Sequence, residues 1–352
     1  MSLSAHLSQL QEGIRSASER GIPLRLRGGG SKDFYGNEPR GEVLDTRAYG
    51  GIVDYEPSEL VVTARCGTPL AEVEAALDER RQCLPFEPPH FGAATFGGCV
   101  ASGLSGPRRA SAGALRDFVL GVKLIDGSGR LLQFGGQVMK NVAGYDISRL
   151  AAGSLGTLGL VAEASLKVLP RPATETTLRL QMAQADALRT MNRWGGQPLA
   201  ISAMAWFDGL LSVRLSGADI AVQSARRAIG GEEAAEGAGF WRAIREQTHE
   251  FFSCRTLWRI AVPSITPPLE LVGAQFIEWG GGLRWLSSSA PAAEVRAAAR
   301  RAGGHATLFR AADKSAGAFT PLEPVVMRLH RALKRAFDPA GILNPGRLYP
   351  EL

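Results

Sequence analysis

Three glycine-rich stretches decide how this sequence reads: Arg27-Gly28-Gly29-Gly30-Ser31, Ala94-Thr95-Phe96-Gly97-Gly98 and Gly153-Ser154-Leu155-Gly156-Thr157-Leu158-Gly159. Each adjoins a stretch with strand character. Consecutive backbone N–H groups in such a loop make a concave anion site, and a pyrophosphate could sit there with few side-chain contacts. Residues 28–30 are best placed for this, because Arg27 adds charge and Ser31 a hydroxyl. Taken alone, the triplet also reads as an ordinary glycine-rich turn.

The composition points the same way. Glycine numbers 42 in 352 residues, nearly twice the usual share, and glycine marks backbone that turns with positive φ or approaches a ligand closely. The common nucleotide motifs are absent. No G-x-G-x-x-G follows a strand and opens a helix, and no Gly-Lys dipeptide occurs, so neither a Rossmann site nor a Walker A loop is supported. Cys66, Cys83, Cys99 and Cys254 form no C-x-x-C, which argues against iron–sulfur and zinc sites and suits a reducing compartment. His6, His90, His249, His305 and His330 form no H-x-H or H-x-x-x-H pair, so no metal site is expected. The net charge of +6 is dispersed, with no run of five basic residues, which argues against nucleic acid and suits an anionic cofactor or a small acid. Near the middle of the chain, the longest uncharged and largely apolar run, Leu150 to Ala162, is 13 residues, short of the ~20 a membrane span needs.

Outward from the loops, periodicity predicts a helix from Ser4 to Arg20, capped by Ser4, and a strand from Leu24 to Arg27. A strand at 60–64 should lead into a helix with Thr68 as cap and Pro69 at its first position. Val119 to Ile125 and Leu131 to Phe134 read as a hairpin turning at Asp126-Gly127-Ser128-Gly129. A strand from Leu160 to Leu169 ends at Pro170-Arg171-Pro172, which looks like a domain boundary. Beyond it come two rough β-α-β-β-α units, the second with a helix near Pro268 to Ala274, giving an α+β domain with an antiparallel sheet. Six tryptophans (194, 206, 241, 258, 279, 285) lie in this region, as core or as a partner surface. Thr320-Pro321-Leu322-Glu323 reads as a capping box for a last helix, with Val325, Leu329 and Leu333 on one face.

Together the three loops, with Phe337-Asp338-Pro339-Ala340-Gly341-Ile342-Leu343-Asn344-Pro345-Gly346, resemble the vanillyl-alcohol-oxidase-type (PCMH-type) flavoproteins. The strings Gly106-Pro107-Arg108-Arg109, Arg116-Asp117-Phe118-Val119-Leu120-Gly121 and Gly135 to Asp146 are similar to one branch of that family, the smaller FAD-binding subunits of bacterial glycolate oxidases (glycolate dehydrogenases). The resemblance implies an α+β fold: a two-subdomain PCMH-type FAD-binding domain at 1–172, a smaller α+β cap domain with an antiparallel sheet at 173–318, and a C-terminal helix and tail at 319–352 returning to the first domain. It implies that Arg27, Gly28, Gly29, Gly30 and Ser31 cradle the pyrophosphate of FAD. Thr95, Gly97, Gly98 and Ser102 would line the flavin and ribityl side, and Gly156, Gly159 and Val161 the adenine side. Some relatives attach the flavin through a His on the first loop; Ser31 stands there here, so FAD is expected to be non-covalent.

The same resemblance implies oxidation of a small 2-hydroxy acid, glycolate to glyoxylate, in a complex with a larger FAD subunit and an iron–sulfur subunit. The expected setting is cytoplasmic, with any contact to the inner membrane made through the complex. The larger catalytic relatives carry clustered histidines that this chain lacks, which favours an electron-relay or assembly role. The rival is a free-standing FAD-dependent dehydrogenase for D-lactate or glycolate, which needs a base near the flavin. The sequence offers His90, Lys140 and Tyr145 for that task, each with a structural alternative: loop packing for His90, a capped turn for the other two. Arg108 and Arg109 would tune the flavin or be surface charges. A flavin-free scaffold is a third reading, which the intact 28–30 loop opposes.

Overall fold

A computed structural model describes residues 2–136 and 146–352. Helix α1 (Leu3–Arg20) buries Leu10, Ile14 and Ala17 at helical spacing and ends on Gly21 in the left-handed region. Its cap is Ser2, whose side chain accepts from the Ala5 N–H at 3.3 Å, rather than Ser4. Strands β1 (Leu24–Arg27) and β2 (Glu42–Asp45) pair in parallel. The sequence gives β2 no alternation, because three of its four residues are exposed. Strands β3 (Ile52–Glu56) and β4 (Val61–Arg65) lead to helix α2 (Leu70–Glu79), strand β5 (Gln82–Cys83) and helix α3 (Phe96–Ser102). Short helices α4 (Arg109–Ala112) and α5 (Leu115–Phe118) precede the hairpin of β6 (Val119–Ile125) and β7 (Leu131–Gly135). Asp126 closes that hairpin, its carboxylate accepting from the N–H groups of Ser128 and Arg130. Helix α6 (Ile147–Ala151), strand β8 (Leu160–Lys167) and strand β9 (Leu169–Pro170) follow.

The first large layer is an antiparallel sheet in the order β3-β4-β8-β6-β7. Its inner face packs on α2 and α3 through Val62, Leu70, Val73, Phe96, Val122 and Leu166. Thr68 does not cap α2. Its hydroxyl donates to the Arg65 carbonyl (2.7 Å) and accepts from the Gly51 N–H (2.9 Å), and the helix starts behind Pro69 without a side-chain cap.

The second layer has eight strands. Strand β10 (Thr174–Gln181), helix α7 (Gln184–Gly195), strands β11 (Ile201–Phe207) and β12 (Leu210–Gly217) and helix α8 (Asp219–Ile229) form one unit. Strand β13 (Glu232–Glu233) and helix α9 (Gly237–Arg245) connect it to a second unit of strands β14 (Leu257–Ala261), β15 (Ala274–Glu278) and β16 (Leu283–Ser287), helix α10 (Ala292–Arg301) and strand β17 (His305–Arg310). The sheet order β13-β10-β12-β11-β15-β16-β14-β17 shows the repeat: β10-β12-β11 and β14-β16-β15 are the same arrangement, joined edge to edge at β11 and β15. The helix expected at 268–274 is absent. Pro267 and Pro268 withhold two N–H donors, and the segment runs as an irregular loop. Trp194, Trp241, Trp258 and Trp285 are buried, so four of the six tryptophans are core.

One face of this sheet holds α7, α8 and α10. The other meets the first half of the chain through Tyr35, Leu104, Leu155, Phe276, Leu283 and Phe309. Helix α11 (Pro324–Phe337) starts at Pro324; Thr320 instead bonds both backbone groups of Ala306, so no capping box forms. Val325 and Leu329 do share a face, but it is exposed, at 59% and 61%. What anchors α11 is Lys334, buried, whose ammonium donates to the carbonyls of Thr157 (2.9 Å) and Leu343 (2.6 Å) and to Asp338 (2.7 Å). The tail then joins β1 through a parallel bridge between Leu24 and Leu343. Among the described residues no helix is long and apolar enough to cross a membrane.

Candidate functional site

The three glycine loops meet. Strand β1 delivers Arg27 to the first loop, where Gly30 adopts φ +72° and its carbonyl accepts from the Asp33 N–H at 3.1 Å. A Cβ on Gly28 would collide with the Thr95 hydroxyl, and one on Gly29 with the Ala93 carbonyl. The first two loops therefore touch backbone to backbone, which only glycine permits. In the second loop Thr95 caps α3, accepting from the Gly98 N–H at 3.3 Å. A Cβ on Gly97 would lie 2.5 Å from the Cβ of Cys66. In the third loop Gly156 has φ +72°. Asn344, from the tail, ties this loop to β1: its Oδ1 accepts from the Leu26 N–H (2.8 Å) and its Nδ2 donates to the Leu155 carbonyl (2.6 Å).

The result is one cleft, lined by Arg27, Gly28, Gly29, Gly30, Ser31, Thr95, Gly97, Gly98, Ser102, Gly156, Gly159 and Val161 together. Sequence reasoning named Arg27 but missed the cleft's other cations. Arg25 and Arg27 share the carboxylate of Asp33. Lys32 donates to the carbonyl of His90 (3.2 Å) and the Ser31 hydroxyl (3.4 Å), and burial holds its pKa down. Arg347 donates to the carbonyls of Asn37, Lys32 (3.1 Å) and Asp33 (2.9 Å), and burial pushes its pKa down to about 10. Four cations against one carboxylate, with a floor of backbone N–H groups, suit an extended dianion such as a dinucleotide pyrophosphate. Lys32 sat in plain view beside the loop; Arg347 carries no local signal, because the fold brings it from the far end of the chain.

The catalytic candidates fare differently. The imidazole of His90 is 3.0 Å from Glu74, and its backbone N–H donates to Glu246 at 3.0 Å. It does not line the cleft. Lys140 and Tyr145, with Asn141, lie outside the described residues. Arg108 is neither a surface charge nor free: it pairs with Glu175 (2.8 Å) and Glu87 (3.6 Å). Arg109 stands 4.2 Å over the ring of Trp279. His330 donates from Nδ1 to the Val326 carbonyl of its own helix (3.0 Å) and packs against Tyr349, away from the cleft.

Comparison with known proteins adds the following. Residues 3–135 match the family model "FAD binding domain", and residues 313–348 match "FAD linked oxidases, C-terminal domain". The chain is 50% identical over 345 residues to glycolate oxidase subunit GlcE of Escherichia coli (strain K12), covering 97% of each chain. It is 33% identical over 172 residues to glycolate oxidase subunit GlcD of Bacillus subtilis (strain 168), covering 48% of this chain and 37% of the relative. A D-lactate dehydrogenase of Archaeoglobus fulgidus is 32% identical over 171 residues, 47% of this chain and 38% of the relative. A solved alkyldihydroxyacetonephosphate synthase superposes with a TM-score of 0.66 at 15% identity, over 96% of this chain and 75% of that one, and shares the fold.

Proposed function

The chain belongs to the FAD-linked oxidases, in the branch of the glycolate oxidase E subunits, and from that premise we propose that it is the FAD-holding subunit of a multi-subunit oxidase converting glycolate to glyoxylate. The observation that carries this reading is the convergence of three sequence-distant glycine loops on one cationic cleft. Bound FAD supplies the two-electron acceptor for an alcohol carbon beside a carboxylate. The chain's residues supply the binding. Backbone N–H groups at 28–30 take the pyrophosphate oxygens, while Gly97 and Gly98, whose N–H groups are held by the Cys66 carbonyl (3.0 Å) and the Thr95 hydroxyl (3.3 Å), leave space on the flavin and ribityl side. Lys32 and Arg347 balance their charge from a desolvated position, where each is worth more than in water. Thr95 and Ser102 face the ribityl side, and Gly156, Gly159 and Val161 leave room for adenine. Ser31 stands where some relatives carry the His that attaches the flavin, and the loop has no Cys, so the cofactor is held by these contacts alone.

Partners follow from the same premise: a larger FAD subunit of the GlcD kind and an iron–sulfur subunit to carry electrons onward. The cysteine pattern suits the cytoplasm, and contact with the inner membrane would come through the complex. With His90 tied to Glu74, relay of electrons and support of the assembly are favoured over oxidation by this chain alone. The domain limits consistent with this role are 1–172 for FAD, 173–318 for the cap and 319–352 for the returning tail.

The test is direct. The purified chain is denatured and the released chromophore identified; free FAD at close to one per chain is expected. Absence of flavin, or flavin that stays with the protein, would overturn the reading. Anaerobic glycolate then separates the roles: bleaching of the flavin only when the partner subunits are added supports the relay, and bleaching of the chain alone refutes it.

A further inference from the structure

Helix α11 carries two lines of side chains at heptad spacing. Met327, His330, Lys334 and Phe337 recur at steps of three, four and three, and this line faces the protein. Lys334 is buried, the ring of His330 lies 6.2 Å from that of Tyr349, and the ring of Phe337 lies 6.2 Å from that of Phe134. Val325, Leu329, Ala332 and Ala336 recur at steps of four, three and four, and this line faces solvent. Val325 is 59% and Leu329 61% exposed, and both alanines are exposed as well. Such steps keep side chains in one row along a helix of about 3.6 residues per turn.

Arginines run beside the uncovered row. Arg328, Arg331 and Arg335 are exposed, and their steps of three and four place them together on one flank of α11. Among the described residues no carboxylate lies within 4 Å of any of them, and residues 137–145 contain no Asp or Glu that could supply one. Glu351 lines the groove between α11 and the tail together with Arg328 and Arg331, yet it pairs with neither. The helix itself, PVVMRLHRALKRAF, has no acidic residue. Its exposed charge is therefore of one sign, and Lys334, bonded to the Thr157 and Leu343 carbonyls and to Asp338, fixes the helix in place.

Single exposed apolar residues are ordinary, but a continuous row at helix-packing spacing marks a contact surface. Two alanines in the row let a second backbone come close. Arginines along one flank select carboxylates at the facing positions of another helix. A second copy of α11 would oppose arginine with arginine and bring no carboxylate. A membrane surface fits less well, because interfacial helices carry Trp, Phe and Leu on the apolar face, where this row has Val, Leu and Ala. We infer that the solvent face of α11 docks one amphipathic helix of a different protein, with apolar residues at three- and four-residue steps and Asp or Glu aligned on Arg328, Arg331 and Arg335. The inference goes beyond the proposed function, which calls for partner subunits without giving them a surface, and it does not depend on the reaction they run.

The test is photocrosslinking of the full chain in the cells that make it, with Ala332 replaced by p-benzoylphenylalanine and the cross-linked peptide sequenced by mass spectrometry. Ile220, 81% exposed on α8, is the control position. One partner protein is expected at 332, attached through a peptide with the apolar steps and acidic flank described, and not at 220. Combined Arg328→Glu, Arg331→Glu and Arg335→Glu should cut the yield about tenfold or more at an unchanged thermal midpoint, as reversal of three exposed ion pairs does. Should that variant not fold, Leu329→Asp, at a solvent-facing position, takes its place and should cut the yield as far. Cross-linking to a second copy of the chain, to phospholipid, to a peptide without acidic residues or to nothing overturns the inference, as does the same capture at 220 or an undiminished yield in the variants. The expected cross-link on a chain that proves free of FAD would sink the proposed function alone; an FAD-loaded chain without the cross-link would sink this inference alone.

Discussion

Gly29 and Ala93 are in backbone contact: a Cβ on Gly29 would stand on the carbonyl oxygen of Ala93. The missing side chain therefore serves the joint between two loops as much as the space for a phosphate. Any side chain at position 29 must therefore move the backbone around Ala93.

The first prediction follows from that contact. Gly29→Ala should lose most of its FAD and also fold less stably, by about 1–3 kcal/mol as overpacked sites do. The FAD-to-protein absorbance ratio and a denaturant midpoint read the two effects. Full occupancy at unchanged stability would show that the loops are not joined as described.

His90 gives the opposite expectation. Its imidazole is 3.0 Å from Glu74 and away from the cleft. His90→Asn should cost about 1 kcal/mol of stability, the worth of one part-buried hydrogen bond, and leave FAD content and glycolate turnover of the assembled complex within about twofold. A loss of turnover by orders of magnitude would restore His90 as a proton acceptor.

Glu278 should write itself into the pH dependence of stability. Burial raises its pKa from 4.5 to about 7. A raised carboxyl pKa means the fold holds its proton more tightly than the unfolded chain does. The contribution is full below pH 4.5 and lost as pH climbs towards 7, on the order of 3 kcal/mol in all. The difference in unfolding free energy between wild type and Glu278→Gln should fall across that window and level off above it. A flat difference would mean that the carboxyl is ionised in the fold.

Lys334 and Asp338 form a buried pair at 2.7 Å. Lys334→Met would strand the Asp338 carboxylate and release the carbonyls of Thr157 and Leu343, a loss of about 3–5 kcal/mol. Limited proteolysis should then cut within the last turn of α11 or the tail before the sheets. Cleavage elsewhere first would show that another contact secures the tail.

How much of this could be read beforehand divides by the range of the interactions. The glycine loops were legible because close approach and positive φ leave a mark on the residue itself, as at Gly28, Gly30 and Gly156. The hairpin at 126–129 was legible because Asp126 bonds its own neighbours. The errors share a cause. Thr68 and Thr320 carry the chemistry of helix caps but spend their hydroxyls on Gly51, Arg65 and Ala306, partners that only the fold supplies. The helix expected at 268–274 had apolar spacing but two prolines at its start. Arg347 is a single charged residue in an unremarkable string, and only assembly brings it to the cleft.

Asn344 and Arg347 have a consequence for biosynthesis. They close a cleft whose first wall is laid down at Arg25, and translation proceeds at about 5–20 residues per second. For most of synthesis the nascent chain holds three glycine loops with no tail to staple them. Capture of the cofactor in the closed cleft therefore awaits emergence of residue 347.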